Sequence, residues 1–339
     1  MSKVPVTILT GHLGAGKTTL LRNLLQNRLG LRIAVIENEF GNEIGIERLL
    51  ANTSLTDSAI INQKDLFIEL SNGCVCCSVK DTLVATLETL LERSKNRFDH
   101  IVIETTGLAD PGPLAGIFWL DDALESELTL DGVVTVVDLK NLESRLDDPN
   151  ANEAILQIAY ADHLILNKKD LVTDGELSKI LSKIQVINPS APYVVTTNSN
   201  VDLKFCLNIS AFDKSRLHIR LNQSNRDAME VVHDPTVRSI VLRRTDKPIS
   251  LDKLRDWIAN MLWEPKSDVE IFRVKGIVWG SENDSQINTV QAVHKLFDIE
   301  PISDGTTWRD IDELRPITKI VIIGRGIIRD VITSEFQLL

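Results

Sequence analysis

Short apolar runs alternate with helix-period segments through the first two hundred residues of this chain. Val4–Thr10 reads as a strand, followed by a helix over Thr18–Leu29 that Gly30 closes. Strands are predicted at Arg32–Glu37 and Leu66–Leu70, then a helix from about Val79 to Arg93. Further strands are predicted at His100–Glu104, Val133–Asp138, His163–Leu166 and Tyr193–Thr196. Strands alternating with helices predict an α/β unit, a mostly parallel sheet with helices on both faces. The runs are apolar without alternation, as in strands buried on both sides. The pattern changes after about Ala211. Lys214–His233 is polar and weakly periodic and reads as a linker. Val237–Arg243 opens a smaller α+β unit. Its helix, Leu251–Leu262, carries Leu254, Ile258, Met261 and Leu262 on one face, and strands follow at Val269–Trp279 and Ile317–Ile323. The expected organisation is a first unit over 1–212, a linker over 213–235 and a second unit over 236–339. The second unit holds no dense cluster of catalytic residue types, so it is expected to position a partner or cover the first unit's site.

Composition narrows the partners. A length of 339 residues accommodates two domains. A net charge of −11 argues against a nucleic-acid backbone as partner. No apolar run is long enough to span a bilayer, and Met1-Ser-Lys-Val-Pro-Val has no signal-peptide core, so no membrane association is expected. Four cysteines without a disulfide-like framework suit a reducing compartment. A cytoplasmic protein is expected, with a nuclear pool also allowed.

Gly11-His12-Leu13-Gly14-Ala15-Gly16-Lys17-Thr18 matches G-x-x-x-x-G-K-[ST] between a predicted strand and a predicted helix, the context that gives the motif meaning. Its glycines let backbone N–H groups approach phosphates, and the helix N-terminus adds a favourable dipole. Lys17 is expected to reach the β- and γ-phosphates, and the Thr18 hydroxyl to bind Mg²⁺. Glu104-Thr-Thr-Gly107 ends a strand and reads as the Mg²⁺-side acid followed by a γ-phosphate-sensing glycine. Asn167-Lys168-Lys169-Asp170 has the N-K-x-D form. The Asp170 carboxylate would accept two hydrogen bonds from guanine, whose donors adenine lacks. Glu37-Asn-Glu39-Phe-Gly41 follows the second strand; Glu39 is the candidate for orienting the attacking water, against a solvated loop with two surface acids.

Ser71-Asn-Gly-Cys74-Val-Cys76-Cys77-Ser78 puts three thiols within four residues, and Cys206 is the one other cysteine. Thiolates are soft ligands that select Zn²⁺ or Cu⁺. Ser78-Val79-Lys80-Asp81 has the form of a capping box, which places the cluster at a helix N-terminus. The dipole there lowers thiol pKa. Three thiolates leave one tetrahedral position for exchange. Buried packing cysteines, a redox disulfide and a closed structural zinc site with a fourth ligand from elsewhere are the competing readings.

Together, the P-loop, E-N-E-F-G, G-C-V-C-C, E-T-T-G and N-K-x-D segments resemble the CobW-like branch of the metallochaperone P-loop GTPases. Arg273-Val-Lys-Gly276, Gln291-Ala-Val-His294 and Ile323-Gly-Arg-Gly326 are similar to that family's C-terminal domain. Within the family the chain looks most like the eukaryotic zinc-regulated GTPase metalloprotein activators. The resemblance implies a GTP-hydrolysing zinc chaperone with GTP/GDP, Mg²⁺ and Zn²⁺, delivering metal to client metalloproteins. It implies Cys74, Cys76 and Cys77 for zinc, and Gly11–Thr18, Cys77–Asp81 and Asn167–Asp170 for GTP. Relatives that activate type 1 methionine aminopeptidase carry a Cys-Pro-containing docking motif before the first strand; Met1-Ser-Lys-Val before Pro5 departs from it, which argues against that client while keeping it among the candidates. His12 stands where relatives often have an aromatic residue and reads as a loop variant without a chemical role. His233 is a candidate fourth metal ligand, against an ordinary surface histidine. Two other functions compete: a GTPase that inserts another metal or cofactor, such as cobalt or nickel, and a GTP-binding module with a structural zinc.

Overall fold

The uninterrupted apolar runs build one seven-stranded sheet. Its strands are β1 (Val4–Thr10), β2 (Ile33–Glu37), β3 (Phe67–Glu69), β4 (His100–Glu104), β5 (Leu128–Asp138), β6 (His163–Asn167) and β7 (Tyr193–Val195), in the order β3-β2-β4-β1-β5-β6-β7. All of its pairings are parallel. The computed structural model describes residues 3–26, 30–37, 67–69, 87, 98–120, 127–148, 152–212, 237–265, 268–283, 286–302, 307–308 and 316–339. Helices α1 (Lys17–Leu25), α2 (Pro111–Leu120), α3 (Leu142–Leu146), α4 (Asn152–Tyr160) and α5 (Asp174–Ile187) connect the strands. Strands β4 and β6 are buried along their whole length, as continuous apolar runs require. The order reverses at β1, with β2, β3 and β4 on one side and β5 to β7 on the other. Ligands of open parallel sheets bind beyond the strand ends at such a reversal.

Two elements depart furthest from the sequence expectation. Helix α1 starts at Lys17 and ends at Leu25; residues 27–29 lie outside the described ones. Strand β5 starts at Leu128, well before the predicted Val133. Asp131 breaks the apolar run but is buried, accepting hydrogen bonds from Thr7 Oγ1 (2.9 Å) and from the N–H groups of Ile209 (3.1 Å) and Ser210 (2.6 Å). Of the predicted helix over 79–93, Leu87 alone is described; it is helical and fully buried. Helix α5 opens with a complete capping box: the Thr173 hydroxyl accepts from Glu176 N–H while the Glu176 carboxylate accepts from Thr173 N–H.

The second unit is an antiparallel five-stranded sheet of β8 (Val237–Arg244), β9 (Glu270–Trp279), β10 (Ile287–Val293), β11 (Leu296–Pro301) and β12 (Thr318–Arg325), ordered β11-β10-β9-β12-β8. Side chains alternate between its faces. Val274, Val278, Ile320 and Ile322 pack with Leu254, Ile258 and Leu262 of helix α6 (Leu251–Trp263) and with Ile332 and Phe336 of helix α7 (Arg329–Gln337). The other face contributes Ile277, Val293, Val321 and Ile323 to one continuous apolar cluster with Phe118, Ile158 and Tyr160 of the first unit. The two sheets therefore share a core. Within this junction Asp162 faces Arg273 and Lys275; its Oδ1 is 2.5 Å from Lys275 Nζ and accepts from the Arg273 guanidinium. Arg273 also donates to the Tyr160 carbonyl. Among the described residues, no helix is long and apolar enough to cross a membrane.

Candidate functional site

The loop after β1 is shaped by its glycines. Gly11 has φ 139°, and a Cβ there would lie 2.2 Å from the Val136 carbonyl oxygen of β5. Gly16 has φ 110°, and its Cβ would meet Asn167 Nδ2 at 2.3 Å. Both positions exclude a side chain by conformation and by space. A turn bond from Ala15 N–H to the His12 carbonyl (3.0 Å) closes the loop, and helix α1 follows from Lys17. The Lys17 ammonium is buried and donates to the carbonyls of Gly11 (2.7 Å) and His12 (3.4 Å), so it lies across the loop. Thr18 is exposed at the first turn of α1. Gly14 and Leu13 lie on the exposed crest of the loop.

The other motifs converge on this loop. Glu104 ends β4 and is 4% exposed; its register partner is Leu9, two residues before Gly11. Thr105 Oγ1 donates to Thr10 Oγ1 (2.8 Å), and Thr105 N–H to the Leu9 carbonyl (2.9 Å). Gly107 comes so close to the P-loop that a Cβ would sit 2.4 Å from Leu13 N. Asn167 ends β6. Its Nδ2 donates to the Ala15 carbonyl (2.8 Å) and to Ser199 Oγ (3.0 Å), and its Oδ1 accepts from Ser199 N–H (2.9 Å). Ser199 Oγ in turn donates to the Gly16 carbonyl (3.0 Å). Asn167 thus braces the P-loop against the 196–200 loop, with both amide hydrogens used inside the protein.

Lys168 adopts a left-handed conformation, φ 65°, and its ammonium pairs with Asp138 Oδ2 at 2.8 Å. Burial alone would raise the Asp138 pKa. Hydrogen bonds from Lys168, Asn141 and the Lys140 N–H outweigh it and hold the carboxyl below its ordinary value. Lys169 Nζ reaches Asp174 Oδ1 (2.8 Å), away from the loop. The Asp170 carboxylate is exposed in the single turn Lys169–Leu171.

His12 has a structural role that the sequence did not disclose. Its Nδ1 is 3.0 Å from the Leu13 carbonyl, and its Nε2 contacts the Arg145 guanidinium of α3. Arginine can only donate, so Nε2 is the acceptor in this contact, which ties the P-loop to α3. Asp138, Arg145, Gln157 and Ser199 were missed in the sequence. Asp138 had a readable signal, an acid at the end of a valine-rich parallel strand; the others are brought in by packing alone.

Glu39, Cys74, Cys76, Cys77, Ser78, Val79, Lys80, Asp81 and His233 lie outside the described residues. Among the described residues, no group of His, Cys, Asp and Glu side chains is arranged to hold a metal ion. Cys206 is buried in the core, and burial, aided by the Asp202 charge, pushes its thiol up to about 12. It is a packing residue, not a thiolate ligand.

Comparison with known proteins agrees with this geometry. Residues 5–195 match the CobW/HypB/UreG nucleotide-binding domain, and 237–338 match the cobalamin synthesis protein cobW C-terminal domain. The chain is 38% identical to zinc-regulated GTPase metalloprotein activator 1 of Schizosaccharomyces pombe, over 97% of this chain and 84% of that protein. It is 31% identical to the zinc chaperone YjiA of Escherichia coli, over 99% of this chain and 98% of that one. The crystal structure of Zn(II)-bound YjiA GTPase from E. coli superposes with a TM-score of 0.74 at 28% identity, covering 100% of this chain and 99% of that chain. With a P-loop at the reversal of a parallel sheet and an antiparallel sheet docked behind it, the chain belongs to the CobW/HypB/UreG family.

Proposed function

We propose that this protein is a GTP-hydrolysing zinc chaperone that takes up Zn²⁺ on Cys74, Cys76 and Cys77 and transfers it to client metalloproteins. One observation carries the nucleotide half of this reading. The P-loop and the N-K-x-D loop are bonded to each other through Asn167 and Ser199, so the phosphate cradle and the Asp170 carboxylate are held in one frame. Family membership and the names of the zinc-handling relatives support the metal half.

In this reading the loop N–H groups and Lys17 hold the β- and γ-phosphates, and Asp170 reads guanine. Hard oxygen donors suit Mg²⁺, and the site offers the exposed Thr18 hydroxyl and the Glu104 carboxylate at the strand end. When bound, Mg²⁺ neutralises charge developing on the phosphate oxygens. Gly107 approaches the γ-phosphate from the side of Leu13, and Glu39 orients the attacking water. The P-loop, Glu104 and Gly107 supply positioning and charge stabilisation, which is most of what phosphoryl transfer needs.

The cysteine cluster continues into Ser78–Asp81, which the same reading assigns to nucleotide contact. Metal and nucleotide would then affect each other's affinity by the same factor, typically about 5–150-fold. A competition titration of Zn²⁺ against a chromophoric chelator, with GDP and with a non-hydrolysable GTP analogue, measures this factor. The expected result is a lower zinc affinity in one nucleotide state and loss of binding in Cys74→Ser, Cys76→Ser and Cys77→Ser. Equal affinities in the two states would reduce the cysteines to a structural zinc site. Tighter retention of Co²⁺ or Ni²⁺ than of Zn²⁺ would favour insertion of another metal.

A further inference from the structure

Gln157 is 2% exposed in the middle of α4, on the side facing the P-loop end of the sheet. Its Nε2 donates to the carbonyls of Gly107 (3.1 Å) and Ala109 (3.2 Å), so both amide hydrogens are spent on one loop. Its own backbone carbonyl accepts from Thr135 Oγ1 of β5 (2.7 Å), which fixes the helix turn that carries it. The segment from Thr105 to Ala109 is therefore pinned at two ends. Thr105 is bonded to Leu9 and Thr10 of β1. Gly107 and Ala109 are bonded to Gln157. Between these anchors, Gly107 is pressed against Leu13 N with no room for a Cβ.

We infer that Gln157 is a positioning residue for nucleotide hydrolysis: it sets where the Gly107 backbone stands relative to the P-loop, and so how the γ-phosphate is met. The inference rests on the reading of Gly107 as the γ-phosphate-facing glycine. Gln157 touches no phosphate itself. A glutamine suits the task because it offers two donors from one rigid plane to two carbonyls of the same turn. Glutamate would present oxygens to those carbonyls, and methionine would leave both unsatisfied. The far end of α4 is held as well. The Tyr160 carbonyl accepts from Arg273, and Asp162 faces Arg273 and Lys275 of β9. A movement of the Gly107 loop would thus be felt through Gln157 by the helix that the second sheet grips.

The test compares wild type with Gln157→Met and Gln157→Asn in the full chain, loaded with Mg²⁺. Four quantities are read: melting temperature with GDP, GDP affinity, affinity for a non-hydrolysable GTP analogue, and single-turnover hydrolysis. GDP has no γ-phosphate, so its affinity is expected to stay within about twofold of wild type. The hydrolysis rate is expected to fall about tenfold in Gln157→Met, equivalent to ~1.4 kcal/mol, and the analogue-to-GDP affinity ratio to fall with it. A residue with a purely structural role would lower the melting temperature and leave that ratio unchanged. If Gln157→Met does not fold, Gln157→Asn, which keeps the donors on a shorter arm, is expected to show the same direction. An unchanged rate and ratio in a folded variant overturns the inference. Gly107→Ala separates the two levels. If it leaves the ratio intact, the assignment of Gly107 is wrong; if it alone lowers the ratio, only the role of Gln157 is.

Discussion

Asp162→Asn is expected to be among the most destabilising single changes in this protein. The carboxylate is fully buried between α4 and β6. It holds two cations of β9 on Oδ1 and the Val133 N–H (3.0 Å) on Oδ2. Burial alone would push the carboxyl up, but Arg273, Lys275 and the Val133 N–H outweigh it and hold it well below the usual carboxylate range. Asparagine keeps an oxygen for Val133 but loses the charge, leaving two cations buried without their shared anion. Breaking such a pair costs about 3–5 kcal/mol, against a total stability of roughly 5–15 kcal/mol. With m near ~3 kcal/mol/M, the urea midpoint drops by about 1–1.7 M. Tryptophan fluorescence reports chiefly the second unit, which holds Trp257, Trp263, Trp279 and Trp308; Trp119 lies in the first. The folded pKa is depressed, so the contribution is present above the unfolded carboxyl value of ~3.9 and is lost as pH falls from there through the folded value. The gap between wild type and variant should therefore close in acid. A midpoint shift below ~0.3 M at neutral pH, the scale of an exposed ion pair, would refute the reasoning. Replacing the triad together, Asp162→Leu with Arg273→Met and Lys275→Met, is expected to recover most of the loss, since apolar residues of similar volume substitute well for buried ions.

Two predictions concern the nucleotide. Asp170→Asn is expected to weaken GTP binding by about 10–150-fold, the worth of a charge-assisted hydrogen bond of ~1.5–3 kcal/mol, and to improve binding of xanthosine triphosphate, whose oxygen the new amide can meet. Equal affinity of the wild type for ATP and GTP in equilibrium binding would sink the guanine assignment. Lys17→Ala is expected to lower single-turnover GTP hydrolysis by at least ~10²-fold, the usual effect of removing one charge stabiliser; a rate within tenfold of wild type would exclude Lys17 from the chemistry.

The parallel strands were legible because strands buried on both faces leave nothing but apolar runs. Legibility failed where a polar side chain is satisfied from far away. Asp131 shortened the predicted β5, yet its partners are Thr7, Ile209 and Ser210, out of sight of any local window. Strands β10 and β11 were not predicted. In β10, Asn288, Thr289 and Gln291 are buried and break the apolar pattern, and in β11 Ile299 alone is buried. The terminal helix α7 also escaped prediction: its apolar positions are sparse, and Ile332 and Phe336 alone of its residues are buried. In the site, contiguous motifs were readable because a phosphate loop needs glycines and lysine at fixed spacing. Their supports were not. Gln157 and Ser199 matter through carbonyls fifty and more than one hundred and eighty positions away.

The shared core between the two sheets has a consequence during synthesis. The first unit leaves the ribosome complete before any of β9, β10 or β12 exists. At about 5–20 residues per second, the remainder takes roughly 6–25 s to translate. Until β9 is made, Tyr160 has no Phe272 ring beside it, and Asp162 has neither of its cations. The nascent chain therefore shows a bare apolar face centred on a hydrated acid. That acid weakens the face as an aggregation surface until the arriving arginine and lysine neutralise it and the face closes.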